Sequence, residues 1–155
     1  NLVALFKKKI KLTSPMTGEI VDIVETSDPV FSGKMVGDGV TIIPTDGDVL
    51  APMAGKIIQM FDTGHALAIE SNGIQILIHI GLDTVELNGQ GFTKIAHEGQ
   101  EVKQGDLLIK VDLEKIKALG KSIESPMVIV EAAGKSLNKK LGTAIKGQTV
   151  VIELK

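Results

Sequence analysis

The sequence predicts an all-β protein: an antiparallel β-sandwich or barrel with pseudo-duplicated halves and at most short helices. Three observations lead there. Short segments rich in Ile, Val and Leu recur between Gly, Asp, Asn and Pro, the pattern of many short strands joined by tight turns. Only one stretch has clear helical spacing. One motif also returns nearly in register.

In chain order the strands are expected at Gly18–Val24, Val40–Ile43, Gly55–Met60, Ala66–Glu70, Ile74–Ile80, Leu107–Val111, Val128–Glu131 and Val150–Leu154. The helix is "DLEKIKALGKS": Asp112 caps it, Leu113, Ile116 and Leu119 share a face, and Gly120 ends it. The repeat pairs "SPMTGEIVDIVET" (Ser14–Thr26) with "APMAGKIIQMFDT" (Ala51–Thr63), and "SPM" returns at Ser125–Met127. Two similar units of this kind point to two related halves of one sandwich.

The 155 residues form one domain, residues 1–155, with 1–11 read as a flexible N-terminal segment. A formal charge of −2 supplies no general attraction for nucleic acid or an anionic membrane. All 17 basic side chains are Lys, so a phosphate bound here is held without an Arg fork. Cys is absent, which excludes disulfides and thiolate chemistry. No apolar run approaches the roughly 20 residues of a spanning helix. "NLVALFKKKIKL" has its basic cluster after a short apolar patch, the wrong order for a signal peptide. The chain reads as cytoplasmic, without direct membrane insertion, and Lys7–Lys9 as a solvated run.

Two of the three histidines, His65 and His79, lie in "GHALAIESNGIQILIHIG". Asn and Gly in "SNG" suit a three-residue hairpin loop. Centring the hairpin on Asn72 sets His65 opposite His79, Leu67 opposite Leu77 and Ile69 opposite Gln75. Cross-strand neighbours on one face have Cβ atoms roughly 4.5–5.5 Å apart. The opposite face would carry Ala66, Ala68, Ile74, Ile76, Ile78 and Ile80 as a core face. A single histidine beside apolar residues is most economically structural. Two converging on one face support zinc binding, a proton relay, or a phosphoryl group carried on one ring and steadied by the other. Thr63, two residues before His65, would share its face in an extended strand and orient a ring or donate to a phosphate oxygen. Asp83 suits contact with a basic partner, since beside a phosphate it would repel.

A zinc hydrolase or zinc-regulated protein using His65 and His79 is the competing reading, but no third ligand is spaced for it. His97, in "IAHEGQ", reads as an exposed turn residue. "APMAGKI" and "VKQGDLL" suggest a biotinyl or lipoyl carrier, yet the hairpin tip Ser71-Asn72-Gly73 has no Lys. "VGDGVTII" lacks the Lys-Ser/Thr of a phosphate loop and reads as a turn.

"HALAIESNGIQILIHIGLDTVELNGQGF" resembles the signature of the glucose-type enzyme IIA domain of the bacterial phosphoenolpyruvate:sugar phosphotransferase system. The likeness extends through "KMVGDGVTIIPTDGDVLAPMAGKI" and "IAHEGQEVKQGDLLIKVDL", nearly the whole chain. His-x-Gly-x-Asp-Thr-Val with a second His on the preceding strand is a specific pattern. The resemblance implies an antiparallel sandwich and a phosphoryl relay from HPr, the histidine-containing phosphocarrier, to the IIB domain of a sugar permease. It implies no cofactor, and a cytoplasmic location with transient visits to the inner membrane face. His79 matches the phosphorylated histidine, through Nε2; His65 matches the second active-site histidine and Thr63 the hydroxyl beside it. Asp28 and Asp83 match acidic positions facing basic partner residues. Phe31, Val36, Phe61 and Val85 match the apolar ring around the site, and Leu77 stands where some members carry Phe.

Overall fold

The computed structural model describes residues 9–155. Among these residues fourteen strands and two short α-helices follow one another: β1 (Ile10–Thr13), β2 (Gly18–Asp22), α1 (Pro29–Ser32), β3 (Asp38–Pro44), β4 (Asp48–Leu50), β5 (Gly55–Met60), β6 (Ala66–Ser71), β7 (Ile74–His79), β8 (Phe92–Lys94), β9 (Glu101–Val102), β10 (Leu107–Val111), α2 (Leu113–Ala118), β11 (Ser125–Glu131), β12 (Leu137–Lys139), β13 (Gly142–Ala144) and β14 (Val150–Leu154). Single 3₁₀ turns occupy Ile23–Glu25 and Thr84–Leu87. An eight-stranded sheet runs β13-β2-β3-β11-β7-β6-β5-β9; two three-stranded sheets run β1-β14-β12 and β4-β10-β8. Neighbours pair antiparallel, as an all-β sandwich requires.

The repeated motif has a structural counterpart. Its copies supply β2 and β5, each second from an edge of the large sheet. Gly18 and Gly55 start these strands where a Cβ would meet a carbonyl of the adjoining strand, Ile43 O at 2.1 Å and Glu70 O at 2.4 Å. Both copies thus need glycine for the same close approach.

One large core fills the space between the sheets, with Leu12, Met16, Ile42, Ile57, Leu67, Ile69, Ile76 and Ile78 among its buried residues. Each such side chain contributes about 1.5–3 kcal/mol relative to exposure. A separate small cluster, Ile23, Phe31, Leu82 and Val128, lies on the other side of the large sheet, with Val36 and Leu77 packed against it.

Several sequence expectations are corrected. β2 stops at Asp22, because its side chain accepts from Val24 N and caps the 3₁₀ turn. The helix forms with Asp112 bonding Lys115 N, but only Ile116 is fully buried and Leu119 is 40% exposed. Leu119 is the C-cap and has already left the packed face. Ile10 and Lys11, assigned to a flexible segment, pair with Leu154 and Glu153; the readings on Leu2–Phe6 and Lys7–Lys8 fall outside the described residues.

The hairpin register also shifts by one residue. Ser71 pairs directly with Ile74, and Asn72 (φ 50°) and Gly73 (φ 82°) form a two-residue turn. Two consecutive positive φ values are what a type I′ turn needs, and its twist matches that of the strands. His79 therefore faces Ala66, and Leu77 faces Ala68, while Leu67 and Ile69 join Ile76 and Ile78 on the core side. Keeping Leu67 and Ile69 exposed in favour of two alanines would have lost apolar burial, so the observed register wins.

Candidate functional site

His79 is the last residue of β7, on the face turned away from the large core. Two residues on, Gly81 turns the chain at φ 73°, where a Cβ would lie 2.4 Å from Thr84 Cγ2 and 2.8 Å from Ser122 O. That turn brings the Gly81 carbonyl 2.7 Å from His79 Nδ1. A carbonyl only accepts, so Nδ1 carries the proton and Nε2 keeps its lone pair. Thr84 Oγ1 donates to Ile80 O at 2.5 Å and closes the turn from behind.

His65 reaches the same place by a different route. Regular pairing begins at Ala66, and Ile80 N donates to His65 O just beyond the strand end. Thr63 and Gly64 lie in a turn closed by Gly64 N to Phe61 O, with Gly64 at φ 75°. A turn, not an extended strand, thus brings the Thr63 hydroxyl into a hydrogen bond with His65 Nδ1. The expected pairing of His65 opposite His79 is replaced by a one-residue offset, yet the rings meet: centroids 5.1 Å apart, planes at 79°.

Two of the chain's four Phe extend this contact. Phe31 lies 5.1 Å from His79 and Phe61 lies 5.2 Å from His65, so four rings run Phe31–His79–His65–Phe61. Phe31 is presented by α1, where Asp28 caps by accepting from Val30 N and Pro29 takes the first turn. Asp-Pro is a helix-start signal, and reading it would have located this wall from sequence. Val36 and Leu77 pack against the cluster that contains Phe31, while Val85 stands 54% exposed on the 3₁₀ turn after Asp83. The sequence reading missed three further exposed apolar side chains on the Ile23–Val36 segment: Val24, Val30 and Met35. It offered Thr63 to orient either ring; Thr63 serves His65, and the Gly81 carbonyl, which it did not single out, serves His79.

Electrostatics favour neutral rings. His65 is only 3% exposed, and burial pushes its pKa down to about 4, with His79 adding to the effect. Burial also lowers His79, while the Gly81 carbonyl and the charges of Asp28 and Asp83 pull it back up. Desolvation disfavours the imidazolium and nearby carboxylates favour it; for His79 the first effect is the larger. Among the described residues no three His, Cys, Asp or Glu side chains gather as a metal site, so zinc at His65 and His79 would find no third ligand there. His97 is exposed in a turn, its Nδ1 3.1 Å from Glu98 O. No helix among the described residues is long and apolar enough to cross a membrane.

Comparison with known proteins bears directly on this geometry. Residues 10–134 match the family model described as phosphoenolpyruvate-dependent sugar phosphotransferase system, EIIA 1. The chain is 47% identical over 146 residues to a PTS system glucose-specific EIIA component of Bacillus anthracis, covering 92% of this chain and 88% of that one. A protein of the same description from Staphylococcus epidermidis is 43% identical over 150 residues, covering 95% and 90%. Among solved structures, the glucose permease IIA from Mycoplasma capricolum superposes with a TM-score of 0.91 at 40% identity, covering 97% of this chain and 98% of that one. The family match, the curated relatives and the shared fold agree: this chain belongs to the EIIA 1 family of the phosphoenolpyruvate-dependent sugar phosphotransferase system, as one of its phosphocarrier components.

Proposed function

We propose that the chain carries its phosphoryl group on Nε2 of His79, taking it from phospho-HPr and giving it to the IIB domain of a glucose-type permease. The observation that carries this reading is the 2.7 Å contact between His79 Nδ1 and Gly81 O, which leaves Nε2 as the free nucleophile beside a second imidazole.

The step balances without moving a proton. The Nε2 lone pair attacks phosphorus, the bond from phosphorus to the donor's ring nitrogen breaks, and its electron pair returns to that nitrogen. The Nδ1–H stays on Gly81 O throughout and supports the positive charge that the phosphorylated ring acquires. The Thr63 hydroxyl bonds His65 Nδ1; with the hydroxyl as donor, His65 keeps its own proton on Nε2, where a phosphoryl oxygen can accept it. With no Arg in the chain the group is steadied, not clamped, which suits a carrier that must release what it accepts. Positioning of two nitrogens in line is the main catalytic contribution.

Phe31, Val36, Phe61, Leu77 and Val85 form the apolar rim that excludes water and meets the partners. Asp28 and Asp83 attract basic residues of HPr and IIB in turn. Both partners use this one face, so they bind alternately. The reading puts the chain in the cytoplasm, meeting the permease at the inner membrane face, with glucose as the sugar.

The test is phosphorylation of purified protein by phosphoenolpyruvate, enzyme I and HPr, with the acid-labile label mapped. Label on His79, lost in His79→Gln, is expected. His65→Gln should accept the group but pass it on slowly to IIB and sugar. Label in His79→Gln equal to wild type would falsify the assignment.

A further inference from the structure

We propose that Ser125 is a positioning residue for His79: its hydroxyl holds Gly81 by the N–H, and Gly81 in turn holds the imidazole by its carbonyl. The inference rests on His79 Nε2 being the phosphoryl acceptor and extends that reading into the layer behind the ring.

The need for Ser125 follows from how the sheet ends. Pairing of β7 with β11 stops at Ile78–Met127, and the next residue on β11 is Pro126, which has no N–H to continue the ladder. The chain then turns at Gly81, which is buried. A buried N–H without a partner is strongly disfavoured. Ser125, fully buried, supplies the partner: Gly81 N donates to Ser125 Oγ at 3.2 Å, and Ser125 Oγ donates to Ile123 O at 2.8 Å. The hydroxyl proton is thus committed to Ile123, which turns an oxygen lone pair toward Gly81. Leu82 N to Ser122 O at 3.2 Å fixes the next peptide to the same segment. One short stretch of chain therefore sets where the Gly81 carbonyl points.

The direction of that carbonyl decides which ring nitrogen of His79 carries the proton. If Gly81 is released, Nδ1–H loses its acceptor and the Nε2–H tautomer gains population. That tautomer has no lone pair on Nε2 and cannot attack phosphorus.

The experiment compares wild type with Ser125→Ala by ¹⁵N shifts of the His79 ring, read in the unphosphorylated protein, and by the initial rate of phosphorylation by phospho-HPr. In wild type the proton is expected on Nδ1. In Ser125→Ala the Nε2–H form should appear and the rate should fall roughly tenfold, since small misplacements of a reacting group are this costly. A purely structural serine would lower the melting temperature and leave the ring shifts alone. Unchanged ring shifts in folded Ser125→Ala, or altered shifts with an unchanged rate, overturn the proposal. Should the variant not fold, hydrogen exchange of the wild-type Gly81 amide decides: slow exchange supports the hydrogen bond to Ser125 and fast exchange overturns it. Because the ring shifts are read without phosphate, a wild-type protein that takes no label at His79 counts against the functional reading alone.

Discussion

The two sides of the large sheet hold apolar clusters of different kinds. On the inner side, Ile76 and Ile78 join a core that includes Leu12, Ile57 and Leu67, closed over by the smaller sheets. On the outer side, Ile23, Phe31, Leu82 and Val128 form a small cluster with Val36 and Leu77 packed half-buried against it. Apolar side chains on the nearby Ile23–Val36 segment and 3₁₀ turn remain in solvent, including Val30 at 43%, Met35 at 76% and Val85 at 54%. The inner cluster is complete and works for stability. The outer one is left open beside the histidines, as the docking surface proposed above would require. Adjacent residues on one strand, Ile76 and Leu77, thus face a closed core and an open cluster.

Truncating one residue from each side is the sharpest way to break this comparison. Ile76→Ala should cost about 2–5 kcal/mol of unfolding free energy, as cavity-forming core changes do. Its phosphorylation rate per folded molecule should stay at wild type. Leu77→Ala, one residue along and half-buried, should cost about 1 kcal/mol and lower kcat/KM for phospho-HPr. Denaturant unfolding and phosphorylation kinetics on both variants would test the pattern. Equal stability losses from the two would remove the distinction drawn between the clusters.

A second prediction concerns pH. Folding lowers the pKa of His65 from its ordinary 6.5 to about 4. Between those values the unfolded chain binds more protons than the folded one, so stability falls as pH falls from 6.5 toward 4. The contribution is fully present above 6.5 and amounts to about 3 kcal/mol. His65→Gln should flatten that part of the stability–pH curve, measured by urea unfolding at several pH values. An unaltered curve would mean that the ring is not held neutral by burial.

The smallest effect on stability is expected at the open rim. Val85→Lys touches an exposed site and should change stability by no more than about 0.5 kcal/mol. It should raise KM for HPr if the partner's basic surface docks against Asp28 and Asp83 as proposed, because a new cation would then meet it. Unchanged KM at low ionic strength would place Val85 outside the docking surface.

Much of this was legible from residue order. Short runs rich in Ile, Val and Leu located β5, β10 and β14 at their observed bounds, because Gly, Asp or polar residues punctuate them closely. The short edge strands β9, β12 and β13 escaped notice, since two or three residues carry no period of their own. The helix α1 was missed although Asp28-Pro29 announces its start. The two histidines and Thr63 were found as a group, but the route proposed for them was wrong by one step of register. The pairing of Asn72-Gly73 as a two-residue turn was the available clue, and it competes closely with a three-residue loop in sequence alone.

Composition determined that this chain has neither Arg nor Cys, so phosphate chemistry falls to imidazole, hydroxyl, backbone or Lys groups. Pattern determined an antiparallel sandwich, since alternating apolar residues bury one face only when paired into sheets. Tertiary structure alone decided which nitrogen of His79 is free, because that depends on a carbonyl two residues away turned inward by Gly81. It alone brought Ser125 beneath Gly81 across 44 residues of chain and lowered the pKa of both rings by burial. Such properties belong to distances between segments remote in sequence, and they come into being only when the sheet that joins those segments has formed.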